Sequence, residues 1–360
     1  MSRWRPGAAN GLTDVAGLQV GHAGRSVDGW LSGTTVVLPG PDGAVAGVDV
    51  RGGGPGTRET DLLDPRNSVE RVHAVLLTGG SAYGLAAADG VVQRLAGAGT
   101  GLLVDPGRGI LVPIVPGAVV YDLGRGGDWT CRPGAELGAQ AYDDAVLART
   151  GPERQGSVGA GTGAVAGGLR GGIGSASVVL AGGQVVAAMA VVNAMGSTVD
   201  PATGELYGLR HALPGDADGV VRPSADDAAA HRARLVSLPG PVTLNTTIGV
   251  VATDVALTKA QCAKAAGTAH DGLARAIRPA HTMFDGDSVF ALSSGRTPLT
   301  GPALLHEVLV AAADCFARAI VRAVLSATTV RTPAGTWLSY LDAFPSAAPG
   351  AAPLDSPGAP

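Results

Sequence analysis

The chain has 360 residues, enough for one large domain or two smaller ones, and its 46% hydrophobic and 16% charged residues favour a buried core over disorder. The formal net charge of −4 offers no basic surface for nucleic acid, so no nucleic-acid partner is expected. The cysteines are sparse and far apart, which predicts neither a disulfide framework nor a metal cluster: Cys131, Cys262 and Cys315.

The start of the chain and its hydrophobic runs predict the compartment. Residues Met1–Gly7 lack the apolar stretch of a secretory signal peptide. No run reaches the roughly 18 apolar residues that a membrane-spanning helix needs, so no membrane partner is expected. Sparse cysteines are typical of a reducing compartment, and we therefore predict a cytoplasmic protein.

The first part of the chain alternates short apolar runs with glycine- and proline-rich turns. One apolar run with helical character predicts a helix at Ala82–Leu95. The other runs are rich in β-branched residues and predict strands at Thr34–Leu38, Val72–Leu77, Ala118–Tyr121, Ser175–Leu180 and Gln184–Val192.

Two segments have the composition of non-core structure. Residues 200–244 are polar and proline-rich, and we predict an exposed connector there with one short helix at Ala225–Leu235. Residues 346–360 are rich in alanine, proline and glycine, which predicts a disordered tail.

After the connector the pattern becomes regular again. Thr246–Val255 predicts a strand, and Lys259–Ile277 predicts a helix that begins with a capping box formed by Thr258 and Gln261. Two further strands are expected on either side of Asp285-Gly286, followed by a long helix at Pro302–Ser326.

The order of these elements indicates the fold class. Strands and helices are mixed without strict β-α-β alternation, which predicts helices packed outside two largely antiparallel or mixed sheets. We therefore expect an α+β fold in which residues 1–345 form a single domain.

The segment Asn245-Thr246 stands where the polar connector meets a strand. Strand propensity alone explains the β-branched residues there. The functional alternative is a threonine whose hydroxyl attacks the preceding carbonyl, so that an N→O acyl shift and hydrolysis release a new N-terminus at Thr246. The freed α-amine, with a reference pKa of roughly 7.7–8.0, then serves as a general base beside its own hydroxyl.

The segment Asp285-Gly286-Asp287 places two carboxylates close together. An Asp-Gly turn is the simplest interpretation. As functional residues, Asp285 and Asp287 would orient the threonine hydroxyl and hold its amine. A divalent-metal site is a third alternative, although no other cluster of acidic or histidine residues is evident in the sequence.

Three more segments have possible roles in binding or catalysis. Gly159–Ala166 lacks the preceding strand and the acidic residue of a dinucleotide-binding loop, which favours close glycine packing. Ser81 competes as nucleophile, but its surroundings fail the spacing of a nucleophile elbow. The amides of Gly80 and Ser81, at a helix N-terminus, are instead expected to bind substrate through an anion or a carbonyl oxygen. Asn193 ends a strand, where its side-chain amide either caps a turn or donates to a developing oxyanion.

Taken together, several segments resemble the L-aminopeptidase/D-esterase family, which includes the β-peptidyl aminopeptidases and the nylon-oligomer hydrolases. The resemblance covers roughly residues 10–345, and the order of the segments makes it specific. The matching segments are Gly11–Val15, Ala46–Thr60, Gly79–Leu85, Pro113–Asp122, Gly159–Gly163, Gly171–Ser177, Asn245–Gly249 and Asp285–Asp287.

The resemblance implies a four-layer αββα sandwich of the N-terminal-nucleophile-hydrolase type. It also implies autocleavage into an α subunit, residues 1–245, and a β subunit, residues 246–360, which stay associated. Such cleaved units assemble further, so a homo-oligomer, a dimer or tetramer of αβ, is expected. No metal or organic cofactor is implied.

The resemblance assigns roles to individual residues by their motifs. The catalytic residues are Thr246 as nucleophile, Asp285 and Asp287 as the acidic pair, and Asn193 on the oxyanion side, with Asn245 preceding the cut. Tyr121 matches a tyrosine of the substrate cleft. Arg170 is also assigned to substrate binding, at a position where many relatives have lysine. Because a guanidinium stays protonated, Arg170 is not expected to act as a base.

These observations predict an autocatalytically processed amide hydrolase, an aminopeptidase or amidase related to the nylon-oligomer hydrolases. Its expected substrate is a small amide or peptide, which acylates Thr246. Two alternatives stay open: an acyltransferase like the self-cleaving ornithine acetyltransferases, and a non-enzymatic binding protein on the same scaffold.

Overall fold

The structure, a computed structural model, describes residues 4–147, 152–237, 244–348 and 350. Its strands are β1 (Gln19–Arg25), β2 (Ser32–Leu38), β3 (Ala44–Val50), β4 (Thr57–Arg58), β5 (Arg71–Val72), β6 (Val75–Thr78), β7 (Leu102–Asp105), β8 (Ile110–Val112), β9 (Gly117–Val119), β10 (Val165–Ala166), β11 (Leu169–Arg170), β12 (Gly172–Val179), β13 (Val185–Asn193), β14 (Thr246–Val255), β15 (Ser288–Thr297), β16 (Val330–Thr332) and β17 (Gly335–Trp337). Its α-helices are α1 (Ser81–Gly84), α2 (Ala87–Gly97), α3 (Ala135–Leu147), α4 (Ala225–Ser237), α5 (Lys259–Ala276), α6 (Pro302–Leu325) and α7 (Tyr340–Ala343). Among these described helices, none has the length and apolar character needed to span a bilayer.

Two sheets form the centre of the fold. The larger sheet has six strands in the order β12-β13-β14-β15-β3-β5, and the smaller has five in the order β1-β2-β6-β9-β4. The pairs β14–β15 and β6–β9 are parallel, whereas the other pairs in these two sheets are antiparallel. The predicted pair of largely antiparallel, mixed sheets is therefore confirmed.

Alternating side chains decide which layer each strand residue contacts. On β13, Ala188 packs in the core that contains α5 and α6, while Met189 packs in the core between the two sheets. On β2, Val37 faces the same inter-sheet core, while Val36 faces α2 and α3. Both sheets are thus covered on both faces, and the layers run helices, sheet, sheet, helices. This confirms the predicted α+β class and four-layer αββα sandwich.

Glycine allows the outer helix α6 to approach the larger sheet. A Cβ added to Gly174 of β12 would lie 2.2 Å from the carbonyl oxygen of Ala319 and 2.3 Å from the amide nitrogen of Ala323. Atoms at these distances would clash, so a larger residue at this position would push the helix away. Small residues on both surfaces explain how the layers pack closely with only 4% aromatic residues.

The run predicted as one strand, Val72–Leu77, is divided between the two sheets. Strand β5 pairs with β3 in the larger sheet, whereas β6 pairs with β2 in the smaller one. Two hydrogen bonds hold the crossing: His73 N–H donates to the Ile114 carbonyl at 2.9 Å, and Ile114 N–H donates to His73 Nδ1 at 3.1 Å. The single-strand prediction was wrong because apolar residues lie on both sides of His73, and apolar content does not say which sheet a strand joins.

The helix predictions after the connector are confirmed. Helix α5 begins with the expected capping box, in which Thr258 Oγ1 accepts from Gln261 N–H at 3.3 Å and Gln261 Oε1 accepts from Thr258 N–H at 2.9 Å. Helix α6 ends at Leu325, one residue before the predicted end.

Two other predictions need correction. The helix predicted at Ala82–Leu95 is two helices, α1 and α2. Of the two strands expected around Asp285-Gly286, the structure has the following one, β15. Among the described residues between α5 and Asp285 no strand forms, and Met283 and Phe284 lie in a turn. The reason is that β14 and β15 are parallel neighbours connected through α5, so no hairpin is needed between them.

The connector predicted to be exposed, residues 200–244, is exposed only in part. Asp216 is buried and forms a bidentate ion pair with Arg318 of α6, with Oδ2–Nε at 2.6 Å and Oδ1–Nη2 at 3.1 Å. Asn10 Nδ2 also donates to Asp216 Oδ1 at 2.8 Å. Burial is the largest single influence and raises the pKa of Asp216, but the hydrogen bonds and charge of Arg318, the Leu213 amide and the Asn10 side chain together lower it. The connector is therefore fixed to the core by a charge pair; its last residues, 238–243, lie outside the described residues.

We expect Asp216→Ala to lower the free energy of unfolding by about 3–5 kcal/mol, because it leaves the buried Arg318 guanidinium without its carboxylate. Urea denaturation at neutral pH measures this loss. The matched control is Asp218→Ala, an exposed carboxylate two residues away, which should cost about 0.5–1 kcal/mol. Equal losses in the two variants would contradict a stabilising role for the ion pair.

The predicted tail is partly ordered. Ser346 lies in a 3-10 helix, Pro345–Ala347, where its hydroxyl donates to Asp227 Oδ2 and its N–H donates to the same oxygen at 2.9 Å. The disorder prediction was wrong for residues 346–348, because these contacts attach them to α4. Residues 349 and 351–360 lie outside the described residues.

Candidate functional site

Thr246 is the first residue of β14, an inner strand of the larger sheet, and it is buried. Its Oγ1 donates a hydrogen bond to the carbonyl oxygen of the preceding residue, Asn245. The N–H of Gly286 donates to the same carbonyl oxygen at 3.1 Å, and Asn245 N–H donates to the Phe284 carbonyl at 2.9 Å. The peptide bond before Thr246 is thus held between the strand and the Asp285–Asp287 segment. Its carbonyl oxygen accepts two hydrogen bonds, one from the Thr246 hydroxyl and one from the Gly286 amide.

Gly286 lies close to the Thr246 hydroxyl. A Cβ added to Gly286 would lie 2.8 Å from Thr246 Oγ1 and 2.8 Å from the Gly54 carbonyl oxygen. The side chain of any larger residue would collide with the hydroxyl, which explains why a glycine stands between the two aspartates.

Asp287 is buried beside the strand that carries Thr246. Its Oδ1 accepts from Thr247 N–H at 2.7 Å. Its Oδ2 accepts from His281 N–H at 3.1 Å and contacts His281 Nδ1 at 2.8 Å. The carboxylate therefore fixes the backbone one residue after the predicted nucleophile and binds an imidazole on its other side.

Asp285 is equally buried but has different neighbours. Its Oδ1 accepts from Met195 N–H at 3.1 Å. Its Oδ2 accepts from Thr282 N–H at 3.0 Å and from the Thr282 hydroxyl at 2.6 Å. In this arrangement Asp285 shapes the turn before β15 and fixes it to the residues that follow β13.

Asn193 is the β-sheet partner of Thr246, at the end of β13. Its Nδ2 donates to the Tyr121 carbonyl at 3.1 Å, and its Oδ1 accepts from Val165 N–H at 3.1 Å. Arg125 Nη1 also donates to Asn193 Oδ1. The side chain is therefore held on three sides next to the first residue of β14.

Arg125 is the site residue that our interpretation of the sequence missed. Its Nη1 donates to the Gly163 carbonyl at 2.7 Å as well as to Asn193, and its Nη2 donates to Asn245 Oδ1 at 3.4 Å. Burial lowers the pKa of this guanidinium to about 10. A signal was present, because Arg125 is a charged residue within the glycine-rich run that follows Tyr121-Asp122.

The amides of Gly80 and Ser81, expected to bind a substrate oxygen, have acceptors inside the protein. Gly80 N–H donates to Asp122 Oδ1 at 2.7 Å, and Ser81 N–H donates to the Val120 carbonyl at 2.9 Å. Burial raises the pKa of Asp122 to about 6. These amides therefore hold the segment that contains Tyr121, whose carbonyl contacts Asn193. A substrate oxygen would have to displace these acceptors.

Arg170 is buried, and its guanidinium donates to three backbone carbonyls. The distances are 2.8 Å from Nη2 to Thr162, 3.3 Å from Nη1 to Ala164 and 3.1 Å from Nε to Thr328. Burial lowers its pKa to about 10. Its contacts support the loop that precedes β10, whereas a direct contact with substrate stays a prediction.

The structure thus brings Asn193, Asn245, Thr246, Asp285 and Asp287 to one end of the larger sheet, where β13 ends, β14 begins and the turn before β15 lies. These residues are distant in sequence but share this edge because β13 and β14 are antiparallel and β14 and β15 are parallel. The arrangement places a hydroxyl, a carbonyl, an amide side chain and two carboxylates together, which is the composition of a site for acyl transfer.

Comparison with known proteins identifies the family. The model of peptidase family S58 matches residues 10–337. An uncharacterised aminopeptidase of Mycobacterium leprae is 50% identical over 347 residues, which cover 89% of this chain and 91% of the relative. A 6-aminohexanoate-oligomer endohydrolase of Kocuria sp. is 32% identical over 298 residues, which cover 79% of this chain and 75% of the relative.

A solved structure supports the fold. The L-aminopeptidase D-Ala-esterase/amidase from Ochrobactrum anthropi, described as a variant of the N-terminal-nucleophile-hydrolase fold, matches with a TM-score of 0.70 at 22% identity over 96% of each chain. At this identity the likeness concerns the fold alone. The resemblance inferred from the ordered motifs is confirmed by the family model and by the identical residues of the relatives. The chain belongs to peptidase family S58 and is a hydrolase of peptide or amide bonds.

Proposed function

We propose that this chain cuts its own Asn245–Thr246 bond and then uses Thr246 as an N-terminal nucleophile to hydrolyse small amides or peptides. The observation that carries the proposal is the hydrogen bond from Thr246 Oγ1 to the carbonyl oxygen of the bond to be cut. The Gly286 N–H on the same oxygen at 3.1 Å supports it, because an amide donor there stabilises negative charge that develops during attack.

The proposed self-cleavage takes two steps. Thr246 Oγ loses its proton and attacks the Asn245 carbonyl carbon, the C–N bond breaks, and the nitrogen takes up a proton to become the free α-amine of Thr246. The product is an ester between Asn245 and the Thr246 hydroxyl. Water then cleaves the ester, which leaves a carboxylate on Asn245 and restores the hydroxyl. Before the cut no free amine exists, so a carboxylate of the Asp285–Asp287 pair, directly or through one water, is the proposed proton acceptor.

Turnover uses the same hydroxyl on a substrate amide. Thr246 Oγ attacks the substrate carbonyl while the α-amine accepts its proton and passes it to the leaving amine. Asn193 Nδ2 carries two hydrogens and donates one to the Tyr121 carbonyl, so the second is available for the oxyanion. Water hydrolyses the acyl-enzyme and releases the acid.

The contacts of Asn245 in the uncut chain support a proposal for the acyl subsite. One hydroxyl attacks both carbonyls, so both carbonyl carbons must come within about 3–3.5 Å of Oγ. The groups that contact Asn245 should then line the acyl subsite: Arg125 Nη2 at 3.4 Å from its Oδ1 and Met195 Sδ at 3.4 Å from its Nδ2. Exposed Met283 and Phe284 stand nearby on the turn that binds Asn245. These contacts support an acyl group that carries a hydrogen-bond acceptor and an apolar part.

The names of the relatives support the same reaction class. One is named an aminopeptidase and another a 6-aminohexanoate-oligomer endohydrolase, and both names describe hydrolysis of an amide bond. Hydrolysis rates measured on a panel of peptide, β-peptide, D-amino-acid and aminohexanoate amides would identify the preferred substrate class. An added acceptor amine tests the acyltransferase alternative, since a transferase would form a new amide instead of the acid.

The two fragments are expected to stay together after the cut. Strand β14 of the short fragment pairs with β13 of the long one over eight residue pairs, and β15 pairs with β3. The short fragment thus supplies two central strands of the larger sheet. We further propose, from the resemblance, that these cleaved units assemble into dimers or tetramers, which light scattering measures.

We therefore expect the purified protein to contain two associated fragments, Met1–Asn245 and Thr246–Pro360. Edman sequencing of the smaller fragment should begin with Thr-Thr-Ile-Gly, while gel filtration under native conditions should show both fragments in one peak. Intact mass that remains at 35.5 kDa after long incubation would support a non-enzymatic scaffold instead. A different N-terminus would move the nucleophile to another residue.

A further inference from the structure

Two histidines, one buried and one partly buried, stand behind Asp287, on the side away from Thr247. His281 Nδ1 lies 2.8 Å from Asp287 Oδ2, and the His281 side chain is 20% exposed. Its ring makes an edge-to-face contact with the ring of His270, with centroids 4.8 Å apart and planes at 74°. His270 is fully buried on α5, where its Nε2 lies 3.0 Å from the Asp49 carbonyl. Asp287 thus connects the backbone beside Thr246 to a pair of imidazoles.

The neighbours of the two rings determine their tautomers. A carbonyl oxygen only accepts, so His270 Nε2 carries the hydrogen. Burial lowers the pKa of His270, which keeps this ring neutral and leaves a lone pair on Nδ1. An ionised Asp287 also only accepts, so His281 Nδ1 carries a hydrogen. Among the described residues, His270 Nδ1 and His281 Nε2 have no hydrogen-bond partner.

Protonation of His281 changes what these two nitrogens can do. In its neutral form His281 has a lone pair on Nε2; in its cationic form Nε2 carries a hydrogen. His270 Nδ1 is then an unused acceptor on the neighbouring ring. The charged groups on the elements around the pair are Asp49 and Arg51 from β3 and the residue after it, Asp271 on α5, and Asp285 and Asp287. Asp49 and Asp271 pair with Arg51, so Asp287 is the carboxylate that contacts His281 directly.

We propose that His281 and His270 are positioning residues of this site, a pair of imidazoles in edge-to-face contact that orients Asp287 and sets how much of its negative charge acts at Thr246. The inference rests on the proposed function, in which Asp287 serves the Thr246 hydroxyl and, after cleavage, its amine. When His281 is neutral, Asp287 keeps its full charge. When His281 is protonated, the imidazolium offsets that charge and the carboxylate becomes a weaker proton acceptor. Self-cleavage should therefore slow in acid, where an imidazole takes up its second proton.

A first experiment tests the coupling without any catalysis. In the uncleavable variant Thr246→Val, the histidine carbon resonances are titrated by NMR and assigned through single substitutions. Adding Asp287→Asn should move the His281 midpoint toward lower pH, because the carboxylate that contacts its Nδ1 is lost. Adding His270→Gln should also move it, since the neighbouring acceptor changes. An unchanged midpoint in both variants would overturn the inference, even if the protein never cleaves itself.

A second experiment tests the consequence for the reaction. Full-length chain made by cell-free synthesis is incubated from about pH 5 to about pH 8, and the self-cleavage rate is followed by gel. This rate is the right readout because the precursor has no free Thr246 amine whose titration would mask that of His281. Failure of the wild-type chain to cleave at any pH would contradict the proposed function, whereas the NMR result still decides the inference.

Three variants distinguish a positioning role of His281 from a merely structural one in the second experiment. His281→Ala removes the donor to Asp287 and should slow self-cleavage about tenfold or more at every pH, a part of the roughly 100- to 10,000-fold effect of a positioned proton acceptor. His281→Asn keeps an N–H donor near the Nδ1 position but has no group that takes up a proton in this pH range. This variant should cleave itself faster than the alanine variant, and its rate should no longer fall in acid because of a histidine. The matched control is His231→Asn, a buried histidine that packs on Phe344, which should keep the wild-type profile. If His281→Asn keeps the wild-type pH profile, the pair has only a structural role and the inference fails.

Discussion

Replacement of Thr246 by valine is expected to leave a single uncut chain of 35.5 kDa without amide hydrolysis above background. Valine keeps the β-branched shape that suits the start of β14 and removes only the hydroxyl. Loss of a nucleophile in a covalent mechanism removes the acyl-enzyme step entirely, and losses of about 10⁶ in kcat are known for such changes. Intact mass spectrometry and a single-turnover assay measure the two activities separately.

The neighbouring residue provides the control. Thr247 is also buried, and among the described residues its Oγ1 has no hydrogen-bond partner, so Thr247→Val should still cleave itself. Thr246→Ser keeps a hydroxyl and is expected to retain self-cleavage at a reduced rate. If Thr246→Val is processed like the wild type, the nucleophile is another residue, and Ser81 is then the first to examine by trapping a covalent acyl group.

Asp287→Asn is expected to slow both self-cleavage and turnover by about 100- to 10,000-fold, the usual contribution of a positioned acid–base group. The amide keeps the size of the side chain but removes its charge. It also presents an NH₂ group where Thr247 N–H or the two donors of His281 need an acceptor. Because the buried donors lose their acceptor, we expect an additional loss of stability of about 1–3 kcal/mol.

Thermal unfolding of the same variant separates the two effects. Asp285→Asn serves as comparison, since its carboxylate is equally buried but accepts from Met195 and Thr282. We expect Asp285→Asn to impair both reactions as well, through the shape of the turn, with a larger part of its effect in stability. Wild-type rates in both variants would mean that Asp285-Gly286-Asp287 is only a turn.

Much of the candidate site was predictable because the chemistry is carried by short segments. Asn245-Thr246 combines a strand start with a nucleophilic side chain, and the Asp-Gly-Asp segment supplies paired carboxylates. These segments do not predict which groups each carboxylate contacts. The structure directs Asp285 to Met195 and Thr282, and directs Asp287 to Thr247 and His281. Neither preference follows from two aspartates separated by one glycine.

Arg125 and His270 illustrate the same limit over longer distances. Arg125 meets Asn245 across 120 positions of the sequence, and His270 meets Asp49 across 221. A lone arginine in a glycine-rich loop and a lone histidine on a helix are ordinary sequence features. Only the folded sheet gives them partners, because strands distant in the chain become neighbours there.

The sequence by itself determined the local elements and the family. The β-branched residues of Thr246–Val255, the capping box at Thr258 and the ordered series of motifs predicted a strand, a helix start and the αββα sandwich correctly. The physical reason is that strand propensity, capping and turn chemistry act between residues close in the chain.

The tertiary structure alone decided how those elements share their surfaces. It divided residues 71–78 between two sheets, although the run Val72–Leu77 has the composition of a single strand. It also fixed the polar connector to α6 through Asp216 and Arg318, which a composition typical of exposed loops does not reveal. In each case the stabilising interaction is made with residues far away in the sequence. An apolar strand is stabilised by the sheet that it joins, and a buried ion by its counter-charge.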